Sequence, residues 1–486
     1  VAVLFPENLI ETMFSAYTEH LNQLTDAEHW YETLQVTEQQ FDGISLAVTD
    51  DTAPVAAVVD VSVPAVLLEE MTALWADTLG LEHIPVDESF FKLGGDSLIA
   101  TRVLGKVKQA HSVAISLADF FAKGTTVQSL AELVVLATTS DQALVPSYPQ
   151  IIPEPNLRFE PFPLNDIQRA YWLGRQGTYA LGNVPCHFYS ETTANGVDIG
   201  KLTRTWRQMI ERHEMLRAVI LPTGEQQILA EVPEYEFPVI DARAWSESEI
   251  LDSISSVRGE LAAQMLDTEQ WPIFDIRLHQ VTDDDYLIHS SFDFLIADVW
   301  SFLIILGEWG ALYSDTVTEL PEITLSFRDY VLAEQEISQQ AKTSEHWAYW
   351  QEQIKTLPVG PDFPLQALPE TIDTPTFLRL NDALSADMWQ QLQGIFQAHE
   401  LTPSVALCAL YCEVLAYWSK TAHFTMNLTL FNRLPLHDEV ESIVGDFTTL
   451  TLLERQAGVG QTLLERARAL QNQLFEDLEH RDVNGV

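Results

Sequence analysis

Two stretches without sustained periodicity interrupt this chain and forbid a single continuous core. Residues 36–65 mix Thr, Asp, Ala, Val and Pro and end in TDDTAPVAAVVDVSVP, while residues 139–160 carry Pro146, Pro149, Pro153 and Pro155. Proline fixes φ and removes a backbone donor, so both segments read as extended linkers. Around them the sequence turns periodic. Leu9, Met13, Tyr17, Leu21 and Leu24 recur at helical spacing near the start, as one apolar face of a helix requires. From Pro64 to about Leu136 three helical patterns follow, PAVLLEEMTALWADTLGL, SLIATRVLGKVKQA and TVQSLAELVVLA, and they predict a small helical bundle. Past residue 160, helical runs (LTRTWRQMIERHEML, VWSFLIILGEWGALY, PSVALCALYCEVLAYW) alternate with strand-like runs (YLIHSSFDF, HFTMNLTLF, TLTLLE), the pattern of a large α/β region. With 486 residues and 47% hydrophobic content, the chain has material for about three packed domains at roughly 150 residues each.

Charge narrows the partners. Against 26 basic residues stand 71 acidic ones, a formal net charge of -45, which repels nucleic acid phosphates and anionic membrane surfaces. No apolar run approaches the ~18 residues of a spanning helix, and no secretory leader pattern opens the chain. Cys186, Cys408 and Cys412 do not make a disulfide framework. The expectation is a soluble, cytoplasmic protein with neither nucleic acid nor membrane as partner.

FFKLGGDSLIATRVLGKV is the most informative segment. Gly94 and Gly95 permit a close backbone approach, Asp96 can cap the coming helix, and Ser97 sits in its first turn with Leu98, Ile99, Val103, Leu104 and Val107 facing inward. A phosphodiester on that hydroxyl would meet free N–H groups and the positive end of a helix dipole. An ordinary Gly-Gly turn with a capping Asp-Ser pair has the same spacing. The wider context, LGLEHIPVDESFFKLG before it and FFAKGTTVQSLAELV after it, resembles the peptidyl carrier family over residues 66–138. That resemblance implies a four-helix, all-α carrier domain, a 4′-phosphopantetheine arm attached to Ser97 between Asp96 and Leu98, and a separate phosphopantetheinyl transferase that installs it.

In SSFDFLIADVWSFLIILGEW a strand-like run ends at Asp293 and Asp298 opens an apolar helix with Ser301 in its first turn. Either aspartate alone could be a helix cap. Together, Asp293-x4-Asp298-x2-Ser301 resembles the signature of heterocyclisation domains, relatives of condensation domains whose own motif begins with two histidines. FPLNDIQRAYWLGR, RHEMLRAV, LTPSVALCALYCEVLAYWS, NLTLFNRLPLH and VGDFTTLTLLE resemble further heterocyclisation motifs in family order. The implied fold is an α/β pair of chloramphenicol-acetyltransferase-like lobes around a tunnel, with Asp293, Asp298 and Ser301 as its catalytic residues.

The chain then resembles a slice of a nonribosomal peptide synthetase: the tail of a preceding condensation-type domain (1–35), a linker (36–65), a carrier (66–138), a second linker (139–160), and the N-terminal (161–330) and C-terminal (331–486) lobes of a heterocyclisation domain. The resemblance further implies that the second lobe is incomplete, that residues for cyclodehydration lie partly outside the sequence, and that an adenylation domain and neighbouring carriers lie elsewhere. The implied reaction joins a donor thioester to carrier-bound Cys, Ser or Thr and closes a thiazoline or oxazoline. Condensation without ring closure, or a purely carrier and docking role, are the alternatives. Other polar residues have bland readings. Gln168, Tyr171 and Arg175 share a helical face that could knit two elements together, His213 with Glu214 and Arg217 suits a structural cluster, and Cys408 with Cys412 suits core packing.

Overall fold

The computed structural model describes residues 4–25, 63–139 and 148–485, apart from 7, 82, 96, 112, 114, 178, 343, 373, 374, 376–379, 457 and 459–461; the side chains at 97, 98, 101, 118, 122 and 139 also stand outside the description. Asp96, most of the first expected linker and residues 140–147 of the second therefore lie outside the described residues. The first helix, α1 (Leu9–Gln23), buries Met13 and Leu21 on the apolar face expected of it. Four helices follow: α2 (Ala65–Leu79), α3 (Ser97–His111), α4 (Leu117–Lys123) and α5 (Val127–Thr139). Their shared interior holds Trp75, Phe90 and Phe120, with the Trp75 and Phe90 rings 5.0 Å apart. Three of these helices match the three periodic runs. The fourth, α4, is only 7 residues long and is set by Ser116, whose side chain accepts from Asp119 N–H, so it has too few turns to show a period.

The α/β region forms two lobes. The first contains β1 (Phe162–Pro163), α6 (Asp166–Gly174), β2 (His187–Asn195), α7 (Ile199–Arg212), β3 (Ala218–Ile220), β4 (Glu225–Ile228), β5 (Val239–Asp241), α8 (Glu247–Ala262), β6 (Phe274–Gln280), β7 (Asp285–Asp293), α9 (Val299–Tyr313) and α10 (Phe327–Ala341). Its main sheet runs β2-β7-β6-β5, with β7 antiparallel to both neighbours and β5 parallel to β6. Strand alternation sorts the side chains. Phe274, Ile276, Leu278 and Phe292 enter an apolar core with Trp206 of α7 and Phe302 and Ile305 of α9. Asp293, His289, Glu191 and His279 take the opposite face, where Ser253 and Arg258 of α8 bond His279 and Glu191. Trp206 is fully buried, and truncating such a side chain costs about 3–5 kcal/mol.

The second lobe contains α11 (Glu345–Gln353), α12 (Ala386–Ala398), α13 (Pro403–Trp418), β8 (Phe424–Phe431), β9 (Thr448–Arg455) and α14 (Leu463–Glu479). β8 and β9 pair antiparallel from Phe424↔Arg455 to Phe431↔Thr448. The connection between them leaves its own lobe: Leu434, Leu436, Val440, Ile443, Val444 and Phe447 pack into the first lobe's core. The expected division at 330/331 falls inside α10, whose Phe327, Tyr330, Val331 and Ile337 also belong to that first core. Among the described residues no single helix is long and apolar enough to cross a membrane; α12 and α13 reach that composition only as a pair bent by 96°.

Candidate functional site

Three elements meet where the lobes join: α6, the β7–α9 turn, and the crossing connection between β8 and β9. The sequence places α6 with Asn165, whose side chain accepts from Gln168 N–H while Gln168 returns a bond to the Asn165 N–H. Gln168 Nε2 also donates to Leu295 O at 2.7 Å and to Gln226. One turn on, the Tyr171 ring lies 6.3 Å from Phe294, and Arg175 at the end of α6 forms an ion pair with Asp293, both side chains buried. The helical face formed by Gln168, Tyr171 and Arg175 thus reads the turn that follows β7 along its length. Asp293 is further held by Leu295 N–H, 3.0 Å from Oδ1.

Asp298 is the cap of α9, accepting from Ser301 N–H at 2.6 Å. It also binds the other lobe: Oδ2 accepts from Phe447 N–H at 3.2 Å and Oδ1 lies 3.5 Å from Arg433 Nη2. The Ser301 hydroxyl donates to Gly445 O at 2.7 Å and accepts from Gly445 N–H and from Arg433 Nη2 at 2.9 Å. Arg433 is completed by Val440 O and Ile443 O and by the Phe447 ring, 3.8 Å from its guanidinium carbon. With every hydrogen-bonding position of the Ser301 hydroxyl in use, this serine is built to hold a loop.

The loop so held presents Asp446. Its Oδ1 accepts from Thr448 N–H at 2.9 Å, Oδ2 has no hydrogen-bonding partner among the described residues, and the residue is fully buried. Burial, then the nearby Asp298, pushes its carboxyl up to about 8. Beside it a cleft of about 580 Å³ opens between the lobes, lined among others by Asn165, Arg169, Glu334, Asn432 and Thr449. Glu334 is likewise raised to about 8, by burial and then Asp166. Among the described residues no group of three or more His, Cys, Asp or Glu side chains could hold a metal ion.

The three site residues of the α/β region named from sequence divide between two anchors: Asp293 pairs with Arg175, whereas Asp298 and Ser301 share Arg433. Asp446 falls within VGDFTTLTLLE and Arg433 within NLTLFNRLPLH, two of the motifs quoted above, though neither was named as a catalytic residue. His213 proves structural, bonded to Glu308 at 2.8 Å, and Cys412 is buried in the core.

Ser97 is the first residue of α3, and Leu98 the second. The approach to it demands glycine: a Cβ on Gly95 would fall 2.3 Å from the Phe90 ring. A serine at the opening residue of a 15-residue helix, reached through a backbone pressed against an aromatic core, suits attachment of an anionic arm.

Residues 162–484 match the family described as "Condensation domain", and residues 69–134 match "Phosphopantetheine attachment site". Bacitracin synthase 1 of Bacillus licheniformis is 32% identical over 419 residues, which is 86% of this chain and 8% of that protein. Phenyloxazoline synthase MbtB of Mycobacterium sp. (strain MCS) is 31% identical over 67% of this chain and 27% of its own length. The chain thus spans less than a third of either synthase. The EpoB nonribosomal peptide synthetase cyclization-docking bidomain from Sorangium cellulosum superposes with a TM-score of 0.63 at 35% identity, covering 68% of this chain and 67% of that one.

Proposed function

The chain belongs to the condensation-domain family and carries a phosphopantetheine attachment segment ahead of that domain, and from that premise we propose a carrier and heterocyclisation unit of a nonribosomal peptide synthetase. The carrier is assigned to residues 66–138, with α2 to α5 as its four-helix bundle, and the heterocyclisation domain to 161–486. Residues 1–35 are assigned to the tail of a preceding domain of the same kind. The observation that carries this reading is the buried pair Asp293 and Asp298 at the meeting of the two lobes, downstream of a serine that opens α3. Likeness to a cyclization bidomain and to a phenyloxazoline synthase supports ring closure over condensation alone.

The prosthetic group is 4′-phosphopantetheine, and Ser97 is the residue that would hold it, between Asp96 and Leu98. Bound there, the arm supplies a thiol that presents an acyl group as a thioester. The proposed reaction begins when the amine of a carrier-bound Cys, Ser or Thr attacks a donor thioester and expels its thiol. The side-chain thiol or hydroxyl then attacks the new amide carbonyl, and water leaves to give a thiazoline or oxazoline.

The chain's own residues act mainly by placement. Asp298 and Ser301 hold the loop from Gly445 to Phe447 against α9, and Asp293 fixes Arg175 at the end of α6, so both walls of the junction keep one geometry while two tethered reactants meet. Asp446, held largely protonated near neutral pH, is a candidate proton donor for the departing oxygen. The partners in this reading are a phosphopantetheinyl transferase, upstream and downstream synthetase domains with their carriers, and an adenylation domain, in the cytoplasm.

Intact-mass analysis of the full synthetase's carriers after loading tests the proposal, because amide formation and loss of one water are separately visible. The expected result is one arm on Ser97, abolished by Ser97→Ala, and a downstream product lighter than the linear amide by one water. An uncyclised amide as the end product would reduce the function to condensation, and a Ser97 that accepts no arm from an active transferase would remove the carrier.

A further inference from the structure

We infer that the carrier docks in cis on its own condensation domain through an ion pair between Arg102 of α3 and Glu441, so that the acyl group on Ser97 is delivered to this chain's own junction. The inference rests on the carrier reading above and goes beyond it by naming the surface and the domain served.

The contact sets one of the carrier's few cations against an acidic turn. Between residues 66 and 138 the basic residues are Lys92, Arg102, Lys106, Lys108 and Lys123, and three of them lie on α3. That helix meets the acidic turn Asp438–Glu441. Arg102 addresses Glu441 with two nitrogens, Nε lying 3.1 Å from Oε1 and Nη2 bonding Oε2, and its guanidinium carbon stands 4.6 Å above the Trp300 ring. Its side chain is only 12% exposed. A fork-shaped pair with an aromatic platform fixes orientation as well as attraction, which an isolated lysine contact cannot do. Around it, Gly105 of α3 faces Pro435, and Lys108 lies over the Tyr148 ring. On the second lobe Phe121 of α4 stacks on Phe475 of α14, with centroids 4.7 Å apart.

This surface adjoins the junction. Glu441 sits in the segment whose Val440 and Ile443 carbonyls are bound by Arg433, the same arginine that reaches Asp298 and Ser301. Trp300 lies between Asp298 and Ser301 in the first turn of α9. Ser97 precedes Arg102 by five positions on α3, about 7.5 Å along the axis at ~1.5 Å per residue. A docked carrier therefore opens its helix beside the α9 end of the junction. The 139–160 linker keeps it at high effective concentration there, so the ion pair has only to select one orientation from those the tether allows.

The test uses the full synthetase. The variants are Arg102→Glu, Glu441→Arg and the charge-swapped double, and the readout is the single-turnover rate at which the acyl group loaded on Ser97 is incorporated into amide. Loading by the transferase, measured by intact mass, should be equal in all four proteins. Each single variant should lose about tenfold in rate and the swapped double should recover to within about threefold of the unmutated protein, as a direct pair requires. Unchanged rates in both single variants, or a double variant as slow as the product of the two singles, would overturn the docking contact. A Ser97 that takes no arm in the unmutated protein would instead overturn the carrier reading, and the docking role with it.

Discussion

Arg433 donates to the Ser301 hydroxyl at 2.9 Å while lying 3.5 Å from Asp298, so one cation from the second lobe closes the first turn of a first-lobe helix. All three side chains are buried, and the guanidinium has no route to solvent. Asp298 also serves Ser301 N–H and Phe447 N–H, so its role in the arrangement is to fasten the crossing loop to α9.

Removing the carboxylate should therefore unfasten the lobes as well as slow the chemistry. Asp298→Ala is predicted to destabilise the chain by about 3–5 kcal/mol, the range for breaking a buried pair by deleting one partner. Gly445→Ala should weaken the same loop from the other side, because its Cβ would fall 2.2 Å from the Phe327 ring. Denaturant melts of this chain check both. Full stability in Asp298→Ala, together with selective loss of the condensation step, would assign Asp298 to direct catalysis instead.

Titration should separate Asp446 from the rest of the junction. Its carboxyl rises from 3.8 to about 8 on folding through burial and Asp298, so its favourable contribution is complete below pH ~4 and is lost as pH rises towards 8. Asp446→Asn mimics the protonated form. The variant should match the unmutated chain near pH 4 and become progressively more stable than it up to pH ~8, then hold a constant advantage. His289 works in the opposite direction: burial, then His279, lowers it from 6.5 to about 4, so its contribution is present above pH 6.5 and is lost as pH falls through 4. Thermal melts across pH 4 to 9 check the difference curve, and a flat one would show that Asp446 is ionised when folded.

Local rules made much of this molecule legible in the sequence. VWSFLIILGEWGALY is bounded by its Asp298 cap, and PSVALCALYCEVLAYW by Thr402 and a proline at its first position, so both helices occupy the residues that their patterns predict. What escaped was set by distant partners. Arg433 finds Asp298 across 135 residues and Ser301 across 132, separations that no periodicity reports. Where the related condensation motif begins with two histidines, this chain carries the run from Ser290 to Asp293. The pairing with β2 and β6 shows why Asp293 can stand there, since Arg175 from α6 supplies the charge that it needs when buried.

That pairing sets the final prediction. A carboxylate with an unperturbed pKa of about 4 is a weak base near neutral pH, and Asp293 spends one oxygen on Leu295 N–H and the other on Arg175. The acceptor amine is nucleophilic once neutral, so placement can carry most of amide formation, whereas ring closure needs a proton at a departing oxygen. Asp293→Asn keeps an acceptor for Leu295 but leaves Arg175 buried without its counter-charge. In the full synthetase it should slow both stages by a similar factor and still leave measurable amide. Arg175→Gln should do the same, and the double variant should be no worse than either single, because each change removes the same contact. Linear and ring-containing thioesters on the downstream carrier, quantified for each protein, decide the matter. If Asp293→Asn accumulated linear amide while Arg175→Gln did not, Asp293 would be handling the cyclisation proton itself and its pairing with Arg175 would be secondary.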